Sequence, residues 1–267
     1  MAFKCFHKTY IISSLILTMS LEGKMKECWV VDLGTIDYDE ALRLQEKLAE
    51  LRGSGKIPDT LLLLEHPPVI TFGAENSEDL VRVSDEVLQK EGIKKHPTRR
   101  GGEVFYHGPG QVVGYVIKEI RVDRTRQDMY KTGEAREHVH KLEEVMARAL
   151  ASYGVGSATE GHHPGTWCFF NGEDRKIGAR AIQVKHHGGI HVTMHGFALN
   201  INPNLAHFDF IYPCGFKDKG TTSLQQVLGR EVPMEEAKQR VADAFANVFG
   251  YERIERKTPE ELKALIK

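Results

Sequence analysis

The chain has 267 residues, 41% hydrophobic and 27% charged, and a formal net charge of −1. That length gives one large domain or two small ones with a sizeable core, and the balanced charge excludes the overall basic field of a nucleic-acid-binding protein. Its four cysteines, Cys5, Cys28, Cys168 and Cys214, make no C-x-x-C pair, which argues against a structural zinc knuckle or a secreted disulfide scaffold and points to a reducing compartment.

Residues 10–19 are apolar, follow Lys4, His7 and Lys8, and precede the first acidic residue, Glu22. The stretch is too short to span a bilayer. Ser20-Leu21-Glu22 is a poor cleavage site, and an organelle presequence would carry arginine. Met25 offers an alternative start, so residues 1–24 are expected to lie outside the fold and residues 25–267 to form one domain.

Residues 28–33 read as a strand. Asp37, with Glu40 three residues on, resembles a capping box for a helix whose apolar face carries Ala41, Leu44, Leu48 and Leu51 and which Gly53 and Gly55 end. Residues 60–64 are continuously apolar, as in a strand buried on both faces. His66-Pro67-Pro68 breaks it, and residues 69–72 resume it. A polar stretch with a short amphipathic patch at 80–88 leads to Lys94, Lys95, His96, Arg99 and Arg100, a basic cluster that a solvated loop would also produce. From Arg100 to Gln111, glycines flank a brief strand on both sides. The pattern is neither a Walker loop nor a dinucleotide fingerprint. It fits either a backbone that a ligand approaches closely or two ordinary turns around a hairpin strand. Residues 112–117 form the next strand. Residues 134–153 keep the 3.6-residue period of a helix, with His138 and His140 on different faces and Gly154 as the stop. A loop at His162-His163-Pro164-Gly165 and a strand over 166–170 follow. The tail holds a helix over 233–249 and a short last one that Thr258-Pro259-Glu260-Glu261 starts. Short strands mixed irregularly with helices predict an α+β fold.

The stretch from Asp174 to Ser223 carries the most chemistry. Lys176 opens a small-residue segment, and a basic turn, KHHGG, separates it from a strand whose apolar phase changes across Gly196: Ile190, Val192 and Met194 before it, Phe197, Leu199 and Ile201 after. Such a change predicts a bend or bulge. Cys214 sits between Pro213 and Gly215, a rigid and a permissive neighbour that would present a sulfur on a tight turn. Cys28 and Cys168, beside Trp29 and Trp167, read as small buried hydrophobes. The 13 histidines suggest no metal site: there is no H-E-x-x-H, and His191 and His195 stand about 13 Å apart along one strand face.

Arg100-Gly-Gly-x-x-x-x-His107-Gly-Pro-Gly-Gln111, Lys176-Ile177, His195-Gly196-Phe197-Ala198-Leu199-Asn200, Pro213-Cys214-Gly215 and Thr222-Ser223-Leu224, in this order, resemble the lipoyl(octanoyl) transferases, over about residues 29–251. The resemblance implies the class II synthetase-like fold of biotin and lipoate protein ligases, a mixed β-sheet with packed helices, for a catalytic domain over 25–267. It implies transfer of an octanoyl or lipoyl group from acyl carrier protein to a lysine of lipoyl domains, those of 2-oxoacid dehydrogenases and the glycine cleavage H protein. No cofactor, metal, nucleic acid or membrane enters, and the location would be cytoplasmic, or mitochondrial in a eukaryote. By the same resemblance Cys214 carries the acyl group and Lys176 lowers its pKa. The acyl-binding segments are Arg100, Gly101, Gly102, Glu103, Val104, Phe105, Tyr106 and His107; Ala179, Arg180 and Ala181; and Gly196, Phe197 and Ala198.

The expected chemistry agrees with the residues. Thioester to thioester is nearly balanced and thioester to amide is downhill, so no nucleotide loop is needed. Small residues such as Gly178, Ala179, Ala181 and Ala198 suit an apolar slot. An ATP-dependent lipoate- or biotin-type ligase of the same fold, which would not need Cys214, is the competing reading; a relative that only binds lipoyl domains is another. Two departures bear on the pocket. Gly178 comes early, with Ala181 at the later glycine position, and Arg180 stands where an apolar residue is usual.

Overall fold

A computed structural model describes residues 25–74, 78–122, 133–158, 164–187, 189–212 and 220–266. The apolar stretch at 10–19, Cys5, His162, His163 and the Pro213-Cys214-Gly215 turn therefore lie outside the described residues.

Strand β1 (Glu27–Thr35) leads into α1 (Tyr38–Gly53). Asp37 is the N-cap, but its carboxylate accepts from the Asp39 amide and pairs with Lys94 at 2.9 Å rather than forming a reciprocal box with Glu40. Strand β2 (Asp59–Glu65) is buried on both faces, as its unbroken leucines require. Pro67 and Pro68 then do more than interrupt it: β3 (Val69–Phe72) belongs to a second sheet, with β4 (Lys94–Pro97), after the short α2 (Asp85–Lys90), and β5 (Val104–His107). Lys94 to His96 are thus strand residues, not a loop.

Strands β6 (Gln111–Ile117) and β7 (Glu119–Ile120), helix α3 (Gly133–Ala151), β8 (Thr166–Phe170), β9 (Glu173–His187) and β10 (Ile190–Asn200) follow. Helices α4 (Leu224–Leu228) and α5 (Met234–Phe249), β11 (Arg253–Lys257) and α6 (Pro259–Leu265) end the order, and α6 carries the full capping box of Thr258 and Glu261. The main sheet runs β11-β1-β2-β6-β10-β9-β8, with β7 on β10. It is mixed: β11, β1 and β2 pair in parallel, and β2, β6, β10, β9 and β8 pair antiparallel in turn. This is the expected α+β architecture.

One face of the sheet packs Val30, Leu61, Phe197 and Leu199 against Leu142 and Met146 of α3 and Phe245 of α5. The other packs Leu62, Val113 and Val192 against Leu44 and Leu48 of α1 and Leu262 of α6. The small sheet has its own core around Ile70, Phe72, Val104, Tyr106 and Phe208.

Two local expectations are corrected. Lys185, His186 and His187 continue β9, so the hairpin turns later than the basic residues. And β10 keeps one register with β9 from Ile190 to Leu199, so no residue is inserted at Gly196. The apolar phase changes because both faces of β10 are buried and each meets something different along its length. The backbone irregularity sits one residue earlier, at His195, with φ 59°. Gly196 is needed for close approach: a Cβ there would lie 2.2 Å from the Gly114 carbonyl oxygen of β6.

Candidate active site

Where β5 of the small sheet faces β9 and β10, two cavities adjoin. The first encloses about 380 Å³, counting its open mouth, and the second about 280 Å³. They share Phe105, His107, Ala179 and Ala198. Ala179 and Ala198 are directly paired across β9 and β10, so two methyl groups form the floor at the junction.

Lys176 lines the first cavity and is 6% exposed. Its backbone is clamped: its N–H donates to Gly220 and its carbonyl accepts from Thr222, each at 2.9 Å. Its ammonium stands 5.7 Å from the Trp167 ring centroid and 5.9 Å from that of Phe105. Both rings are within reach of a cation–π contact with the amine. Val104, Phe105, Tyr106 and His107 line the same cavity. Arg180, Ala181, Gly196 and Phe197 line the second.

Arg100 also borders the second cavity, but its guanidinium is committed to the protein. It donates to the carbonyls of Gly101, Glu103 and Thr71 and to the Thr71 hydroxyl, at 2.7–3.1 Å, and stacks 3.9 Å above Phe105. Gly101, Gly102 and Glu103 line neither cavity; they form the loop that Arg100 fastens to β3. Cys214 lies outside the described residues, yet Ile211 and Thr221, on either side of its stretch in sequence, both line the first cavity.

A directed hydrogen-bond chain crosses the site. Gln111 Nε2 donates to Asn200 Oδ1 at 2.9 Å, and Asn200 Nδ2 donates to the Thr222 carbonyl at 3.1 Å. Gln111 Oε1 is therefore an acceptor, so His107 Nδ1 carries the proton in their 2.7 Å contact. Burial pushes His107 down to about 3, with His66 nearby adding to the shift. The ring is neutral near pH 7, with Nε2 unprotonated. His66, held down to about 4 by burial, donates from Nδ1 to Ile36 and accepts at Nε2 from the Tyr115 hydroxyl.

Sequence reasoning did not single out Tyr38, Tyr115, Phe208 or Ile211, which line these cavities. Tyr115 sits in an otherwise apolar strand, and Tyr38 is the first residue of α1, an element distant in sequence from the rest of the site; neither carries a local signal. Cys28 and Cys168 are buried, and burial raises both thiols, Cys168 to about 11. They are inert near neutral pH. Arg180, at the position expected to be apolar, pairs with the buried Glu143 at 2.8 Å.

The fold and the cavity together define a class. A family model described as "Lipoyl protein ligase A/B catalytic domain" matches residues 37–246. An octanoyltransferase of Alkaliphilus metalliredigens is 44% identical over 227 residues, covering 85% of this chain and 97% of the relative. One of Caldicellulosiruptor bescii is 46% identical over 220 residues, covering 82% and 90%. Within that class this chain belongs to the octanoyltransferase family. A bi-partite lipoate protein ligase from Thermoplasma acidophilum, 14% identical, aligns over 91% of each chain with a TM-score of 0.64, a likeness of fold. No helix among the described residues is long and apolar enough to cross a membrane.

Proposed function

We propose that this chain moves an octanoyl group from the thioester of acyl carrier protein to a lysine of a lipoyl domain, through a thioester on Cys214. The Cys214 thiolate attacks the acyl carbonyl, the bond to the carrier's sulfur breaks, and that sulfur takes a proton from the Lys176 ammonium. The acceptor's amine then attacks the enzyme thioester, passes a proton to Lys176 and releases the Cys214 thiolate. Both steps conserve atoms and charge without ATP. The acyl tail would lie over Ala179 and Ala198, where each buried methylene contributes about 0.8 kcal/mol.

One observation carries the reading. Lys176 shares a cavity with Ile211 and Thr221, which flank the Cys214 stretch, and that cavity opens into a second, small-residue one. Incubation with octanoyl-acyl carrier protein is expected to add one octanoyl mass to the intact protein. The adduct should be absent from Cys214→Ala, and Lys176→Ala should slow both half-reactions by about 10²-fold or more. Labelling that requires ATP and survives Cys214→Ala would instead select a ligase.

A further inference from the structure

We propose that Glu143 is a positioning residue for the Lys176 amine, acting through the backbone of Gly165, with Arg180 as the counter-ion that keeps its carboxylate buried. The inference rests on Lys176 being the proton-carrying amine.

Glu143 lies on the sheet-facing side of α3 and is 2% exposed. A buried carboxylate is costly unless paired and hydrogen-bonded. Its Oε1 accepts from Arg180 Nε at 2.8 Å and from the Gly165 amide at 3.1 Å, and its Oε2 stands 3.7 Å from His140 Nδ1. Arg180 replaces the apolar residue that the family resemblance leads one to expect, and it supplies the main charge opposite Glu143. Among the described residues Glu143 holds one backbone group, the Gly165 amide, and Gly165 lies against the end of the Lys176 side chain.

Gly165 precedes β8 with φ 108°, a conformation other residues rarely adopt. A Cβ at this position would lie 2.6 Å from the Gly178 carbonyl oxygen, 2.9 Å from Lys176 Cε and 3.5 Å from Lys176 Nζ. The Gly165 backbone is thus in contact range of the end of the Lys176 side chain. Lysine has a large rotamer entropy to lose when its amine is held in one place. Two aromatic rings about 6 Å away restrict it loosely; Gly165 restricts it closely. Glu143 sets where Gly165 stands, so the carboxylate on the α3 side fixes the amine on the cavity side.

Steady-state transfer, melting temperature and modification of Lys176 by an amine-directed reagent, read by peptide mass spectrometry, test this in the full chain. Glu143→Ala is expected to lower kcat about tenfold or more with KM for the donor nearly unchanged, and to make Lys176 react at least about threefold faster. Glu143→Gln keeps an oxygen for Gly165 and should recover most of kcat. Gly165→Ala disturbs the same contact with Lys176 without touching the carboxylate and should reproduce the kcat loss, which keeps the test open if Glu143→Ala does not fold. Wild-type kcat and labelling in Glu143→Ala, or a folded Glu143→Gln no better than Glu143→Ala, would overturn the proposal. If Lys176→Ala retains full transfer, the role given to the amine fails instead, and the labelling rate alone still decides whether Glu143 positions it.

Discussion

At Gly196 and Gly114 the absence of a side chain is required by two different neighbours. A methyl group on Gly196 would strike the Gly114 carbonyl oxygen at 2.2 Å, while one on Gly114 would strike the tip of the Phe197 ring at the same distance. A carbonyl cannot move without parting β6 from β10, whereas a ring can tilt. Gly196→Ala should therefore destabilise the protein by about 3 kcal/mol, and Gly114→Ala by about 1–2 kcal/mol. Urea unfolding of the two variants measures both; equal losses, or a Gly196→Ala within experimental error of wild type, would contradict this account of the strand crossing. Because Gly196 also lines the second cavity, its loss of stability should come with a loss of transfer.

The paired strands β9 and β10 set what the cavities accept. Ala179 and Ala198 lie opposite each other and belong to both cavities, so added bulk there divides one slot into two. Ala179, which is only half-buried, is the better place to add it. Ala179→Leu is expected to lower kcat/KM for an octanoyl donor at least about tenfold while changing a butanoyl donor little, since a four-carbon chain loses fewer buried methylenes. Competition between the two donors in one reaction reads this directly; parallel losses would mean that the tail does not pass over Ala179. These strands also show what was legible in the sequence. Lys176, Ala179, Ala181, Gly196 and Ala198 stood out because small residues and a lysine break an apolar pattern, and they do line the cavities. Tyr38 and Tyr115 did not, because a pocket wall contributed by distant elements leaves no local periodicity. The edge strand β11, half-exposed and rich in charge, carries no strand signal in the sequence, and only its parallel pairing with β1 marks it as one. Likewise β3 looks continuous with β2 because apolar pattern reports burial, not which sheet does the burying.

At the scale of the whole molecule, five histidines are buried among the described residues, and in four of them, on four different elements or connections, burial holds the ring neutral. His66 follows β2, His107 ends β5, His138 lies on α3 and His195 on β10. Burial is the first cause in each case, pushing His66 down to about 4 and the other three to about 3. A histidine whose folded pKa is lowered stabilises the fold fully above its unfolded value of about 6.5 and loses that contribution as pH falls toward the folded value. The unfolded chain takes up protons first, so each residue removes about 1 kcal/mol between pH 7 and pH 5.5. Four together remove about 4 kcal/mol, a large part of the 5–15 kcal/mol that typical domains possess. The window lies above the carboxylate range, which separates this loss from ordinary acid unfolding. His138 offers an internal control: neither of its ring nitrogens has a hydrogen-bond partner among the described residues, and it packs edge-on against Phe249 away from the two cavities. His138→Leu should leave transfer unchanged and reduce by about one the number of protons taken up on unfolding near pH 5.5. Denaturant unfolding at pH 7.0, 6.2 and 5.5 measures that number from the slope of stability against pH. A wild-type slope near zero, or an unaltered slope in His138→Leu, would mean that these rings are not held neutral by the fold.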